Sequence, residues 1–220
     1  ANISSMASIF GRINYSYLDR YLLTMTLRAD GASNLASGHQ WGYFPSIATA
    51  WRFSDEEFMG NFKKILSNGK LRVSYGETGN SNIGNGAIDY YKSSMEYVFG
   101  ENAYRGVEIG QIGNKDLTWE TTKEWNFGLD IGFYDRINIS AEYFDRSIVD
   151  LLNARSLMSY YPIATLADNI GTTQSRGVEV TINIQNIKTR NFDWNSTITY
   201  SFYRDRWKEQ IGRASCRERV

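Results

Sequence analysis

The chain has 220 residues with 24 basic and 24 acidic side chains, so its formal net charge is zero, and nothing in it suggests a nucleic-acid footprint. Aromatic residues make up 15%, Gly counts 19 and Pro only 2, while mean hydropathy is −0.44. No run approaches the roughly 18 consecutive apolar residues of a membrane helix, and this polar but aromatic-rich mixture fits alternating strands with aromatic girdles better than a compact apolar core.

Ala1 to Phe10 lacks a basic region followed by an apolar stretch, so no signal peptide is expected here and an exported protein would have its beginning elsewhere. Ile9, Gly11, Ile13, Tyr15 and Tyr17 then alternate with Ser8, Phe10, Arg12, Asn14 and Ser16. Leu18-Asp19 reads as a tight reversal, after which Tyr21, Leu23, Met25, Leu27 and Ala29 carry the apolar parity back opposite Thr24, Thr26, Arg28 and Asp30. Residues 31–42, rich in Gly, Ser and Asn, predict a polar loop, and 44–53 a third strand anchored by Ile47, Trp51 and Phe53. Ser54 with Glu57 three residues on, the apolar stripe Phe58, Phe62, Ile65 and Leu66, and Gly69 as a stop predict one short helix over 54–68.

Lys70 to Tyr75 reads as a fourth strand, followed by a long excursion over 76–118. The strongest pattern follows. Thr121, Lys123, Trp125, Phe127, Leu129, Ile131 and Phe133 share one parity, and Glu120, Thr122, Glu124, Asn126, Gly128, Asp130 and Gly132 share the other. A period of two places these sets on opposite faces of a strand. Tyr134-Asp135 breaks the run, and Ile137, Ile139, Ala141 and Tyr143 resume it as a sixth strand. Residues 147–171 read as another long loop. Val178, Val180, Ile182 and Ile184, a reversal near 188–191, and Trp194, Ser196, Ile198, Tyr200 and Phe202 complete strands seven and eight.

Strands of roughly 12 to 15 residues exceed the usual 5 to 6 and the 9 to 11 that cross a bilayer at a tilt. Short turns at 18–19, 134–135 and 188–191 alternate with long connections at 31–42, 76–118 and 147–171, which is the two-rimmed arrangement of an outer-membrane barrel. The plainer alternative is a soluble or surface antiparallel sheet that binds or adheres, its apolar parity packed on a second sheet from the same chain.

Several phrases together resemble the SusC/RagA-type TonB-dependent outer-membrane transporters of Bacteroidetes: RINYSYLDRYLLTMTLRADGAS at 12–33, WGYFPSIATAWRFSDEEFM at 41–59, LRVSYGETGNSNIGN at 71–85, NKDLTWETTKEWNFGLDIGF at 114–133, YFDRSIVDLL at 143–152 and NIGTTQSRGVEVTI at 169–182. The resemblance implies an all-β, antiparallel transmembrane barrel segment, about 8 strands of a 22-stranded barrel, with residues 1–210 inside the barrel domain and its plug and last strands absent. It further implies location in the bacterial outer membrane, TonB-driven import of glycans or peptides, a SusD-like surface lipoprotein as lid, and a TonB-ExbB-ExbD complex acting through the missing N-terminal part. Residues 211–220, IGRASCRERV with the single cysteine Cys216, resemble translated sequencing adapter and are expected to be a non-native tail.

On this reading Leu23, Leu27, Trp125, Phe127, Leu129, Val178, Val180 and Ile198 are expected to face lipid. Glu120, Glu124, Asp130, Glu142 and Glu179 are expected to face the lumen. Paired carboxylates are also what a glycosidase uses, but all five lie on the polar parity of long strands, so lumen lining is the expectation and no enzyme is predicted. His39 is the one histidine, in a Gly/Ser-rich loop, so neither a metal centre nor a cofactor is expected. Tyr90, Tyr91, Tyr97, Phe99, Tyr104, Tyr160 and Tyr161 are the candidate ligand or lid contacts, since loop aromatics stack on sugar rings; the alternative is loop packing or an outer aromatic girdle.

Overall fold

The computed structural model describes residues 4–210, without the side chains at 61, 94–97, 99 and 103. The expectation of a non-native tail over 211–220 therefore lies outside the described residues.

Among the described residues twelve strands follow in chain order: β1 (Met6–Tyr17), β2 (Tyr21–Ala32), β3 (Trp41–Trp51), β4 (Leu66–Asn80), β5 (Tyr90–Phe99), β6 (Asn102–Gln111), β7 (Glu120–Phe133), β8 (Ile137–Val149), β9 (Leu152–Ser156), β10 (Thr165–Asn169), β11 (Gly171–Lys188) and β12 (Asp193–Gln210). Eight form one antiparallel sheet in the order β1-β2-β3-β4-β7-β8-β11-β12, and β5-β6 and β9-β10 make two separate hairpins. Apart from the inserted hairpins, neighbours in the sheet are neighbours in sequence, as an up-and-down wall requires. Among the described residues β1 and β12 present open edges.

The tight reversals are three-residue connections, 18–20 and 134–136, each closed by a β-turn in which the Arg20 or Arg136 amide donates to the Tyr17 or Phe133 carbonyl. Leu18 and Asp19 have φ of 52° and 54°, and Tyr134 and Asp135 the same pair of values, the left-handed pair that matches the twist of a hairpin. Neither turn uses glycine, so each carries a steric cost that the long flanking ladders must offset.

Three expectations are corrected. The helix over 54–68 is absent: Phe53–Asp55 and Glu57–Phe62 form two 3-10 turns, no side chain caps either, and β4 already begins at Leu66. Its apolar stripe is a surface stripe instead, with Phe58 65% and Phe62 56% exposed. A nucleus of one turn needs a packed face to persist, and this stripe has none. The 76–118 excursion contains the rest of β4, to Asn80, and the β5-β6 hairpin, while 147–171 contains the end of β8 and the β9-β10 hairpin. Register shifts at Tyr90/Tyr91 and Ser93/Met95 break the period of two in β5, which is why its pattern reads as loop.

The buried apolar residues do not lie under the sheet. Ala32, Leu35, Ala36, Phe44, Leu117 and Trp119 form one cluster, joined by Ile83, Ala87, Leu152 and Ala167, among the long connections. The short turns leave from the opposite rim.

Candidate functional site

Register assigns every sheet residue to a face, because directly paired antiparallel residues point the same way. One continuous row crosses all eight strands: Tyr15, Leu23, Thr49, Val73, Phe127, Tyr143, Val178 and Phe202. The rows on either side place Leu27, Trp125, Leu129, Val180 and Ile198 on this same face, so all eight residues expected toward lipid share it. The face is uncovered, with Leu27 57%, Phe127 45% and Ile198 56% exposed. Tyr75, Trp125, Phe127 and Tyr143 form a chain of ring contacts across it, with centroids 4.9, 6.2 and 6.3 Å apart.

The apolar band on this face runs obliquely to the rows. On the first three strands its upper edge is the Ala7, Gly31, Trp41 row; on β11 and β12 it is the Val178, Phe202 row, four rows lower. Beyond that edge come charges: Glu77 and Lys123 beyond Tyr75 and Trp125, Asp145 beyond Tyr143, Arg176 beyond Val178 and Arg204 beyond Phe202. The lower edge slips the same way, from Tyr17, Tyr21 and Trp51 to Ile184. Four rows are roughly 26 Å along a strand and seven strand spacings roughly 34 Å across the sheet, so the band crosses the strands at a tilt of about 38°. Its height, from Phe133 to Trp125 on β7, is about 26 Å along the strand.

The other face is polar and ion-paired. Arg72 donates from Nε to Asp130 Oδ2 at 2.8 Å and from Nη2 to Glu142 Oε1 at 2.7 Å, and Ser140 Oγ donates to Asp130 Oδ1 at 2.8 Å. Gly128 stands between Arg72 and Glu142 in one row, and a Cβ there would lie 2.8 Å from the guanidinium carbon. Arg146 Nε donates to Glu124 Oε2 at 2.6 Å. Glu179 sits directly across from Glu142. A concavity of about 720 Å³ opens on this face, lined among others by Glu124, Glu142, Phe144, Arg146, Glu179 and Tyr203.

The five carboxylates thus separate. Glu124, Asp130, Glu142 and Glu179 belong to this open polar face. Glu120 is buried at the long-loop rim, where its Oε1 accepts from Asn80 Nδ2 at 2.9 Å and its Oε2 from the Leu152 amide at 2.9 Å, pinning the start of β9. Every carboxylate but Glu179 has a donor partner, so no free acid and base pair is set up. Among the described residues no three His, Cys, Asp or Glu side chains are placed to hold a metal.

The long connections are tied to one another. Phe44 packs edge-on against Trp119, centroids 5.3 Å apart, and Trp119 Nε1 donates to the Gln40 carbonyl at 3.0 Å. Asn169 clasps two connections: its Oδ1 accepts from the Thr118 amide at 3.1 Å, and its Nδ2 donates to the carbonyls of Thr118 and Asp150 at 3.2 and 2.8 Å. Asn114 Nδ2 reaches the Ala167 carbonyl at 3.1 Å. The candidate ligand aromatics project from this base on two separate hairpins. Tyr90, Tyr91 and Tyr104, on β5 and β6, are 50%, 69% and 55% exposed, whereas the rings of Tyr160 and Tyr161, between β9 and β10, touch with centroids 4.7 Å apart and planes tilted by 31°. The side chains of Tyr97 and Phe99 lie outside those described.

At the short-turn rim Glu56 gathers three donors: Tyr21 Oη at 2.7 Å, Trp51 Nε1 at 3.0 Å and Arg20 Nη1 at 3.2 Å. The hydrogen bonds from Tyr21 and then Trp51, with the Arg20 charge, hold its carboxyl below the usual range against the opposing effect of desolvation. The Glu56 hub, Arg72 and the loop core were not evident from the sequence. The available signals were the apolar Leu117 and Trp119 inside a polar connection, and a lone Arg at 72 facing the parity that carries Asp130 and Glu142.

Compared with known proteins, residues 2–215 match the family model described as TonB dependent receptor-like, beta-barrel. TonB-dependent receptor SusC of Bacteroides thetaiotaomicron is 37% identical over 206 residues, covering 89% of this chain and 20% of its own length. TonB-dependent receptor P3 of Formosa agariphila is 35% identical over 201 residues, with 91% and 20% covered. Among solved structures, the RagAB peptide transporter superposes with a TM-score of 0.86 at 23% identity, over 95% of this chain and 23% of that one. The outer membrane transporter YddB from Escherichia coli gives 0.66 at 15%, over 93% and 25%. The chain spans about a fifth of the length of the curated relatives it matches.

Proposed function

The chain belongs to the TonB-dependent receptor β-barrel family, and from that premise we propose that it is a stretch of wall in an outer-membrane transporter that imports glycans or oligopeptides beneath a SusD-like surface lipoprotein. The family consists of outer-membrane transport receptors, not enzymes, and the eight-stranded sheet is a partial barrel.

The observation that carries the reading is the oblique apolar band. A soluble sheet that buries one face against another has no reason to end its apolar side chains along a line crossing the strands at an angle. A barrel strand tilted in a bilayer does, because the hydrocarbon boundary is horizontal while the rows are perpendicular to the tilted strand. The roughly 38° slip falls within the 35–45° tilt of such barrels, and the band height fits their apolar belt. Among the described residues no second layer covers Leu27, Phe127 and Ile198, which is what a lipid-facing wall requires.

In this assignment Leu23, Leu27, Trp125, Phe127, Leu129, Val178, Val180 and Ile198 meet lipid, and Glu124, Asp130, Glu142 and Glu179 face the lumen and plug. Glu120 lines the wall's upper rim from within rather than the open passage. The long-loop rim points outward, offering Tyr90, Tyr91, Tyr104, Tyr160 and Tyr161 to lid or substrate, with Tyr97 and Phe99 on the same hairpin. Energy would come from a TonB-ExbB-ExbD complex pulling on parts outside this chain, and no cofactor takes part.

Uptake by cells expressing the full-length receptor with its neighbouring lipoprotein tests the reading. Fluorescent oligosaccharide and oligopeptide pools are supplied in parallel. Accumulation of one pool that is lost without TonB supports it and selects the substrate class; accumulation of neither, with the receptor correctly inserted, overturns it.

A further inference from the structure

We infer that residues 53–65, between β3 and β4, are an interfacial anchor that seats in the phospholipid headgroup layer on the short-turn side of the membrane and is latched there by Glu56. The inference rests on the proposed lipid-facing assignment. β3 pairs with β2 and β4, and β4 with β3 and β7, so this corner lies inside the sheet and not at an open edge.

The segment folds over the apolar face and not the polar one. Tyr21 and Trp51 are directly paired within the row Tyr17, Tyr21, Trp51, Leu71 and Leu129, which belongs to the apolar face. Glu56 accepts from both, Tyr21 Oη at 2.7 Å and Trp51 Nε1 at 3.0 Å, so its carboxylate stands on their side of the sheet. Phe53 lies on that side too. Its ring meets Trp51 edge-on, centroids 5.9 Å apart, and covers Gly69, where a Cβ would lie 2.5 Å from it. Gly69 pairs with Ile131, one row below Leu129 on the same face. Backbone bonds fix both ends: the Arg52 amide donates to the Arg20 carbonyl at 2.8 Å, and the Tyr134 amide to the Ile65 carbonyl at 2.9 Å. The segment therefore bridges from the β1-β2 turn to the β7-β8 turn.

Height and composition specify the occupant. On β3 the apolar band ends at Trp51, whereas on β7 it continues through Ile131 to Phe133. The ring of Phe53 carries the apolar surface down to the Ile131 level over Gly69, and Phe58, Phe62 and Ile65 follow it exposed. Aromatic side chains at such an edge sit where acyl chains give way to headgroups. A plug would lie behind the opposite face of a closed wall and could not cover them. Residues 52–65 hold three basic side chains, Arg52, Lys63 and Lys64, and three acidic ones, Asp55, Glu56 and Glu57. Balanced charge gives no pull toward an anionic surface, so apolar insertion supplies the attachment and a zwitterionic headgroup layer fits.

The test places the photo-crosslinker benzoylphenylalanine at Phe58 or Phe62 of the full-length receptor in cells and identifies the adducts by mass spectrometry. Phospholipid adducts are expected at both positions, with most of them lost when Glu56→Gln is added. The same probe at Val180 reports separately whether the apolar face meets lipid. Lipid adducts at Val180 with none at 58 or 62 overturn the anchor but leave the wall assignment standing. Absence of lipid adducts at Val180 overturns both. A protein adduct at 58 or 62 in place of lipid makes the segment a docking surface and the anchor fails. Lipid adducts that Glu56→Gln leaves unchanged overturn the latch.

Discussion

The guanidinium of Arg72 lies across Gly128 of the neighbouring strand, reaching Glu142 on the strand beyond. A residue without a side chain in the middle position lets one arginine join β4, β7 and β8 in a single polar row. Replacing Gly128 by Leu should lift the guanidinium off both carboxylates, and Arg72→Met should leave Asp130 and Glu142 without their cation. Each is expected to lower barrel stability by about 1.5–3 kcal/mol, the range for hydrogen bonds to charged groups, read as an earlier urea midpoint in a heat-modifiability gel. A Gly128→Leu protein that unfolds with the wild type would show that the row carries no stability.

Phe44 occupies the notch where β3 and β4 part beyond the Ser46–Gly76 pair, and its ring rests against Gly42 and Gly79. It is 5% exposed and packs on Trp119. Phe44→Ala should cost roughly 3 kcal/mol, at the lower end for a buried Phe, and the loss should appear at the long-loop rim rather than in the sheet. Hydrogen exchange would locate it, with faster exchange at Ala36 and Leu117 and unchanged protection in β7 and β8. A Gly79→Val change should produce the same map, because a side chain there displaces the ring.

Leu129 and Val180 lie on the apolar face near mid-band, and Thr181, next in sequence, lies on the polar one. An Arg at 129 or 180 should cost roughly 2–4 kcal/mol near the bilayer midplane, whereas Thr181→Arg should be tolerated. Assembly yield of the full-length protein in the outer membrane measures this. Equal yields for Val180→Arg and Thr181→Arg would reverse the facing of the sheet.

Glu56 holds its proton less tightly than an ordinary glutamate because Tyr21, Trp51 and Arg20 all favour the carboxylate. A folded value depressed below the unfolded one means that the stabilisation is present above the unfolded range, near pH 4.3, and is lost as pH falls through the folded value. Residues 52–65 at the short-turn rim should therefore loosen on acidification before the sheet does. Site-resolved hydrogen exchange against pH should show the transition in the wild type and a flat, already loosened profile in Glu56→Gln. An identical acid transition in both would assign it to another group.

The two faces of the wall follow from each strand's own residues. A strand alternates its side chains with a period of two, so Trp125, Phe127 and Leu129 against Glu124, Asn126 and Asp130 separate the faces whatever each strand pairs with. The positive-φ reversals at Leu18-Asp19 and Tyr134-Asp135 were legible for a similar reason, since each interrupts two alternating runs. The apparent helix over 54–68 misled because a capping pattern and an apolar stripe are local signals, and no packed face was there to sustain them. Strand pairing in three dimensions is what makes Glu120 a buried rim pin while Arg72 bridges to Glu142, and what lets Asn169 clasp two connections and Arg176 face Arg204. These depend on cross-strand register between residues as far apart as 72 and 142, and register is set by the whole ladder rather than by either strand's own pattern.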